Sequence, residues 1–100
     1  MEDEYSVFWE VNSLEDRSEI FNYIYTANPV AAEKTDESIE SAGELLSHNP
    51  LLGVSKTGWR GRCLVVPDVP FNIYYDVDGL VIRILRVLHQ KRKFPPKTQY

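Results

Sequence analysis

FNIYYDVDGLVIRILRVLH, running from Phe71 to His89, decides the fold. Apolar residues alternate or run on continuously either side of Asp78-Gly79. That pair suits a two-residue type I′ turn, whose central positions both need positive φ. The segment reads as a β-hairpin, Phe71 to Val77 answering Leu80 to Leu88. Such a turn fixes the register: Val77 faces Leu80, Tyr75 faces Ile82, Ile73 faces Ile84 and Phe71 faces Arg86. This is the side on which helices are expected to pack. On the other side Asp76 faces Val81, Tyr74 faces Arg83 and Asn72 faces Leu85, and the row continues through Val87 to His89. Upstream, Arg62 to Val66 reads as a third antiparallel strand, and Ser55 to Gly58 as a surface loop leading into it.

Toward the N-terminus, Tyr5 to Trp9 has the β-branched and aromatic content of a first strand. Asn12-Ser13 then supplies stop and cap chemistry, with Ser13 and Asp16 as a weak capping box opening a helix. Leu14, Phe21 and Ile24, with the stem of Arg17, share one face at helical spacing. Asn28-Pro29 closes that helix and opens another, Asn28 as N-cap and Pro29 at the first helical position, where its missing N–H costs nothing. Ala32, Thr35, Ile39, Ala42, Leu45 and Leu46 form the inner stripe of this second helix. Asn49-Pro50 and Gly53 stop it. The expectation is one α+β domain over residues 1–100: a strand, a helical hairpin, then three antiparallel strands in a small mixed or antiparallel sheet. Residues 1–4 and 96–100 are expected to be flexible.

Hydrophobic residues make up 43% of the chain, enough for a packed core and against disorder over most of its length. Its apolar runs are short and its start, Met1-Glu2-Asp3-Glu4, is acidic, so neither a membrane span nor an export signal is expected, and the cytoplasm is. The single cysteine, Cys63, excludes an internal disulfide and reads as a small buried hydrophobe. Two distant histidines and scattered carboxylates give no metal-ligand spacing, and the five glycines form no phosphate-cradling loop, so no metal and no cofactor is expected. The net charge of -4 hides an asymmetry: acidic through His48, basic from Lys56 onward. One end is suited to meeting an anion.

The order of these elements resembles that of the RelE/ParE toxins, and local motifs resemble theirs too. Asp16-Arg17-Ser18-Glu19-Ile20-Phe21-Asn22-Tyr23-Ile24 matches the family's D-R-x-x-I-x-x-Y-I, and Asn28-Pro29-Val30-Ala31-Ala32 its N-P-x-A-A. His48 to Gly53 matches H-x-P-x-x-G. Arg62 to Pro67, Pro70 to Val77, and Ile84 to Pro95 match the three C-terminal motifs in order and spacing. Asp76 and Cys63 stand where arginine and glutamate are frequent in this group.

The resemblance implies a toxin of a bacterial type II toxin–antitoxin pair, with a cognate antitoxin as partner; the expected activity is metal-independent, ribosome-dependent cleavage of messenger RNA, with poisoning of DNA gyrase as the alternative. RelE-type members cut messenger RNA in the ribosome without a metal, a ribose 2′-hydroxyl attacking the adjacent phosphate. That reaction needs a base, an acid, and cations for the phosphorane. His89 and Arg62 are the catalytic candidates, His89 as acid or base and Arg62 as a two-pronged phosphate clamp. Tyr74, Arg83, Lys91, Arg92 and Lys93 are the candidates for binding RNA or another target. Arg83 is expected to be neutralised by Asp76, its diagonal neighbour. ParE-type members instead poison DNA gyrase, a protein-binding activity. A third possibility is a toxin that has lost its activity and survives as a binding module.

Overall fold

A computed structural model describes residues 4–92. The elements are β1 (Ser6–Trp9), α1 (Val11–Ala27), α2 (Pro29–Glu44), a 3₁₀ turn (Leu45–Ser47), β2 (Val54–Lys56), β3 (Trp59–Val65), β4 (Phe71–Asp78) and β5 (Val81–His89). The strands form one sheet in the order β1-β5-β4-β3-β2, with β1 parallel to β5 and the other neighbours antiparallel. This is the α+β architecture expected, with one strand more than the sequence indicated. Val54–Lys56, which overlaps the expected surface loop at Ser55 and Lys56, extends the sheet by pairing Val54 with Cys63 and Ser55 with Arg62. Three residues are too short for a period-two pattern to be visible. Among the described residues no helix is long and apolar enough to cross a membrane. Of the ends expected to be flexible, residues 1–3 and 96–100 lie outside the described residues.

The β4–β5 hairpin forms, but its turn is one residue further along than Asp78-Gly79. Asp78 pairs with Val81, so Gly79-Leu80 is the loop, and only Gly79 has positive φ, at 61°. Positive φ at the first central position alone is the type II′ pattern, which glycine satisfies without steric cost. Val77 therefore faces Ile82, and Tyr75 faces Ile84. The partners move by two residues, an even number, so the inward set stays inward. Ile73, Tyr75, Ile82 and Ile84 are fully buried, together with Ile39, Leu46 and Val66, and Leu64 packs with them in the core.

Beyond Tyr75 the expected register fails a second time. Tyr75 pairs with Ile84 but Tyr74 with Arg86, leaving Leu85 as the extra residue of a β-bulge. One unpaired residue exchanges the faces of everything after it. Val87, expected on the polar row, is buried in the main core, and His89 pairs with Phe71 in place of Arg86. The opposite face carries a small second cluster of Cys63, Tyr74 and Leu88, covered by Trp59.

The helical hairpin forms as expected at its corner: the Asn28 side chain accepts from the Ala31 N–H at 3.1 Å, with Pro29 opening α2. Ala32, Ile39, Ala42 and Leu46 face inward, whereas Leu45 is 53% exposed because the 3₁₀ turn rotates it off the α-helical stripe. α1 departs further. It begins at Val11, so Ser13 lies inside it and donates to the Glu10 carbonyl at 2.7 Å instead of capping. Its buried residues are Ser13 and Asp16, while Leu14 is half exposed.

Asp16 explains this polar inner face. Its two oxygens accept from Arg86 Nε and Nη2 at 2.7 and 2.9 Å, and Oδ2 also accepts the Val87 backbone N–H at 2.9 Å. β1 stops pairing at Ile84, where Glu10 N–H takes the last carbonyl. Asp16 thus serves β5 where its parallel neighbour has ended. The Asp16 hydrogen bonds hold the Arg86 guanidinium pKa above its ordinary value despite burial. Arg17 braces the hairpin from the other side, forked onto Asp36 with two 2.9 Å bonds and lying 4.5 Å from the Trp9 ring centroid.

Two stability measurements check these assignments. Ile82→Ala removes a fully buried side chain and is expected to cost about 2–5 kcal/mol in chemical denaturation. An unchanged melting curve would mean that the buried face is misassigned. Asp16→Asn breaks a largely buried bidentate pair and is expected to cost about 2–3 kcal/mol and to accelerate hydrogen exchange at the Val87 amide. Wild-type protection at Val87 in that variant would contradict the role given to Asp16.

Candidate functional site

The sheet disperses the residues singled out for chemistry. Arg62 pairs across to Tyr75, and His89 to Phe71. Phe71 and Tyr75 are four residues apart on β4, about 13 Å, and β3 and β5 lie two strand spacings apart, about 9.5 Å. The Arg62 and His89 backbones are thus roughly 16 Å from each other.

Arg62 is engaged within the fold. Its Nη1 donates to the Gly53 carbonyl at 2.6 Å and, more weakly, to the Leu51 carbonyl at 3.5 Å. Tyr75, its cross-strand partner, holds the same loop: its hydroxyl accepts from the Gly53 N–H and donates to the Pro50 carbonyl, each at 2.8 Å. Burial raises the Tyr75 pKa above the ordinary phenol value, so the hydroxyl keeps the proton it donates. Only glycine fits at 53, since a Cβ there would lie 2.8 Å from both the Cys63 carbonyl oxygen and the Tyr75 ring. Arg62, Tyr75 and Gly53 together clamp the Pro50–Gly53 loop against β3.

His89 sits beside the start of α1, not on the polar sheet face. Its Nδ1 accepts the Lys91 N–H at 3.1 Å, its ring meets Phe71 edge-on at 5.5 Å, and it lines a cleft of about 150 Å³ with Asp16, Glu19 and Arg92. Lys91 and Arg92 are exposed just beyond it, while Lys93 lies outside the described residues. Tyr74 is 2% exposed, tilted against Trp59 at 6.2 Å, and burial raises its pKa above the ordinary value. It offers no surface for stacking a base. Burial likewise raises the Cys63 thiol, which disfavours the nucleophilic thiolate.

Arg83 is neutralised, though not by the partner expected. Asp76 lies opposite it but accepts Arg60, at 2.7 Å, while Arg83 reaches Glu10 at 2.7 Å and Asp78 at 3.8 Å. The bond to Asp76 raises the Arg60 pKa further. Reading the sequence missed Asp16 and Tyr75 as anchors. Their signal was present only as letters in motifs: in Asp16-Arg17 the first residue ties α1 to β5, and the second ties it to α2. Among the described residues no group of three His, Cys, Asp or Glu side chains is placed to hold a metal ion.

A larger concavity lies elsewhere. A groove of about 650 Å³ runs along α2 beside Pro67 and Asp68. A second, of about 370 Å³, continues it over Leu52, Val54 and Val65 and shares Ala42, Leu45 and Pro67 with the first. The clamped loop forms its far wall.

The helical hairpin packed on a small mixed sheet is a fold shared with solved toxin–antitoxin structures. A family model described as the ParE toxin of the type II toxin–antitoxin system parDE matches residues 7–94. Toxin RelE2 of Caulobacter vibrioides is 34% identical over 87 residues, covering 86% of this chain and 96% of that protein. Among solved structures, the chromosomal ParDE system from P. aeruginosa superposes with a TM-score of 0.79 at 23% identity, over 88% of this chain and 98% of that one. The RelBE2 toxin–antitoxin complex from Mycobacterium tuberculosis superposes at 0.56 and 20% identity, over 86% and 98%. The chain belongs to the ParE toxin family of type II toxin–antitoxin systems, within the RelE/ParE superfamily.

Tyr75→Phe tests the clamp. It leaves the Gly53 N–H and the Pro50 carbonyl without their shared partner, and is expected to cost about 1–3 kcal/mol and to open the Pro50–Gly53 loop to limited proteolysis. Equal protease resistance in mutant and wild type would count against a loop held by this hydroxyl.

Proposed function

We propose that this chain is a growth-inhibiting toxin, restrained by a cognate antitoxin, that acts by binding a protein target, DNA gyrase, and not by cutting messenger RNA. The observation that carries this reading is the state of the cations. Arg17, Arg60, Arg83 and Arg86 each lie on a carboxylate, and Arg62 lies on backbone carbonyls. A phosphorane needs unneutralised cations preorganised around it. Freeing any of these arginines would break an internal pair. The match to a ParE family model supports the same reading.

A second reading rests on His89. With Lys91, Arg92 and Lys93 following it, a titratable imidazole ends β5 beside basic residues, the types required for ribosome-dependent cleavage of messenger RNA. That reading requires Arg62 to leave the Gly53 carbonyl and Arg83 to leave Glu10, and it gives no role to the buried Tyr74.

Purified protein assayed in parallel by toeprinting of a translated messenger and by gyrase supercoiling separates the two. Inhibition of supercoiling without new toeprints is expected, and His89→Gln is expected to retain it to within a few-fold. Under the second reading His89→Gln slows cleavage about a hundredfold or more, and Arg62→Lys is damaging despite its retained charge. Messenger cleavage by the wild type, abolished in His89→Gln, would overturn the gyrase assignment. Expression alone is expected to arrest growth, and co-expression of the adjacent antitoxin to relieve the arrest.

A further inference from the structure

α1 carries a second apolar face, which the fold leaves exposed. Toward the sheet it buries Ser13 and Asp16, with Ile20 packed beside the core. Outward, Val11, Leu14 and Tyr25 are each about half exposed or more, Ser18 is exposed and Phe21 half-buried. These five lie at positions 11, 14, 18, 21 and 25, roughly 150° around the helix from the buried set. Their spacing of three, four, three and four residues is the a/d repeat of a coiled-coil seam. An amphipathic surface helix needs one such stripe, facing the core, and α1 has another facing away from it. The seam also contains a hole. Leu14, Arg17, Ser18 and Phe21, with Asp36 of α2 beside them, line a hollow of about 310 Å³. Residues at i, i+3, i+4 and i+7 are the four-sided hole that receives one side chain of a facing helix. Ser18 is the small member of the set, and Phe21, stacked on Tyr25 with ring centroids 5.6 Å apart, is a large one.

We propose that this seam pairs with a second copy of the chain, α1 lying antiparallel on α1 about a two-fold axis that passes midway between Ser18 and Phe21. In that register Phe21 of each copy enters the hole over Ser18 of the other, and Leu14 lies against Tyr25. Large meets small at every layer, and one patch serves both copies, the self-complementarity that an isologous dimer requires. A parallel pairing would set Ser18 on Ser18 and leave the holes empty. Along the flanks of the antiparallel pair Glu15 faces Asn22 and Arg17 faces Ile24, so no like charges are opposed, and Arg17 keeps its bond to Asp36. Contact from Leu14 to Tyr25 spans about three helical turns and covers on the order of 1,000 Å² in the two copies together, the smallest area typical of a specific interface. The dimer is therefore a weak one, and it forms whichever target the toxin acts on.

Analytical ultracentrifugation of the purified toxin tests the pairing, with melting temperature and affinity for the adjacent antitoxin measured for each variant. The wild-type mass is expected to rise from 11.6 kDa toward twice that value between about 10 µM and about 1 mM, the range that so small an interface supports. Leu14→Glu and Tyr25→Glu, both at positions about half exposed, are expected to raise the dissociation constant about tenfold or more. Tyr23→Glu, at an 84% exposed position of α1 outside the seam, is expected to leave it unchanged. Ser18→Phe sets ring against ring and is expected to abolish the dimer, whereas combining it with Phe21→Ser restores the dimer, because knob and hole exchange places. If either glutamate variant melts early, Ser18→Phe, at an exposed position, decides in its place. Wild type that keeps the mass of one chain up to about 1 mM overturns the proposal. A dimer left intact by the folded seam variants overturns it too, as does a folded double variant that stays monomeric. Seam variants that lose only antitoxin affinity would give this face to the antitoxin and overturn it as well.

Discussion

The carboxylate of Asp16 is the constraint from which the rest of the structure follows. It accepts two bonds from Arg86 and a third from the Val87 amide, so it fixes the height and rotation of α1 on the sheet. A largely buried ion pair is weak evidence of net stability, because desolvation offsets most of the attraction. What it contributes is uniqueness of placement: α1 buries Ser13 and Asp16, with no large apolar residue fully enclosed along its length, and an apolar stripe of that kind would slide. The same bond lies beside the bulge at Leu85. The residue that docks the helix thus also fixes where β5 changes face, and with it where Val87 and His89 point.

How much of this was legible depended on whether the signal was local. The second helix was, because Asn28 and Pro29 carry their own cap chemistry and Ala32, Ile39, Ala42 and Leu46 repeat at helical spacing. The β4–β5 pairing was also visible, as was the identity of its buried face. The register was not. Asp78-Gly79 and Gly79-Leu80 are both acceptable two-residue turns, and only glycine's position distinguishes type II′ from type I′. The bulge left no mark at all, since Ile84-Leu85-Arg86-Val87 reads as continuous strand and its extra residue is set by a carboxylate 70 positions away. The surroundings of the candidate residues were hidden for the same reason: residue type alone marks Arg62, Arg83 and His89, while their environments include Gly53, Glu10 and Phe71.

The charge asymmetry acquires a different meaning in three dimensions. An acidic first half and a basic second half look, in sequence, like a surface prepared for an anionic ligand. In the fold the halves neutralise each other: Glu10 takes Arg83 and Asp16 takes Arg86, joining the region of β1 and α1 to β5 across the chain. Local pairs do the same, Arg17 with Asp36 inside the helical hairpin and Arg60 with Asp76 across neighbouring strands. A basic residue count measures potential ligands for phosphate only when the acids lie elsewhere in space, and for Arg17, Arg60, Arg83 and Arg86 they lie alongside.

The polar groups of the core then explain why the apolar ones are outside. Tyr75 is the largest fully buried side chain, and its hydroxyl must find partners or incur the cost of an unsatisfied group. It finds them in the Pro50–Gly53 backbone, which draws that loop inward and leaves no space for the side chains of Leu51 and Leu52 except toward solvent. Arg62 reinforces the arrangement from the neighbouring strand. Satisfying the tyrosine thus accompanies leucine exposure: the loop whose backbone supplies its partners carries Leu51 and Leu52 on the solvent side.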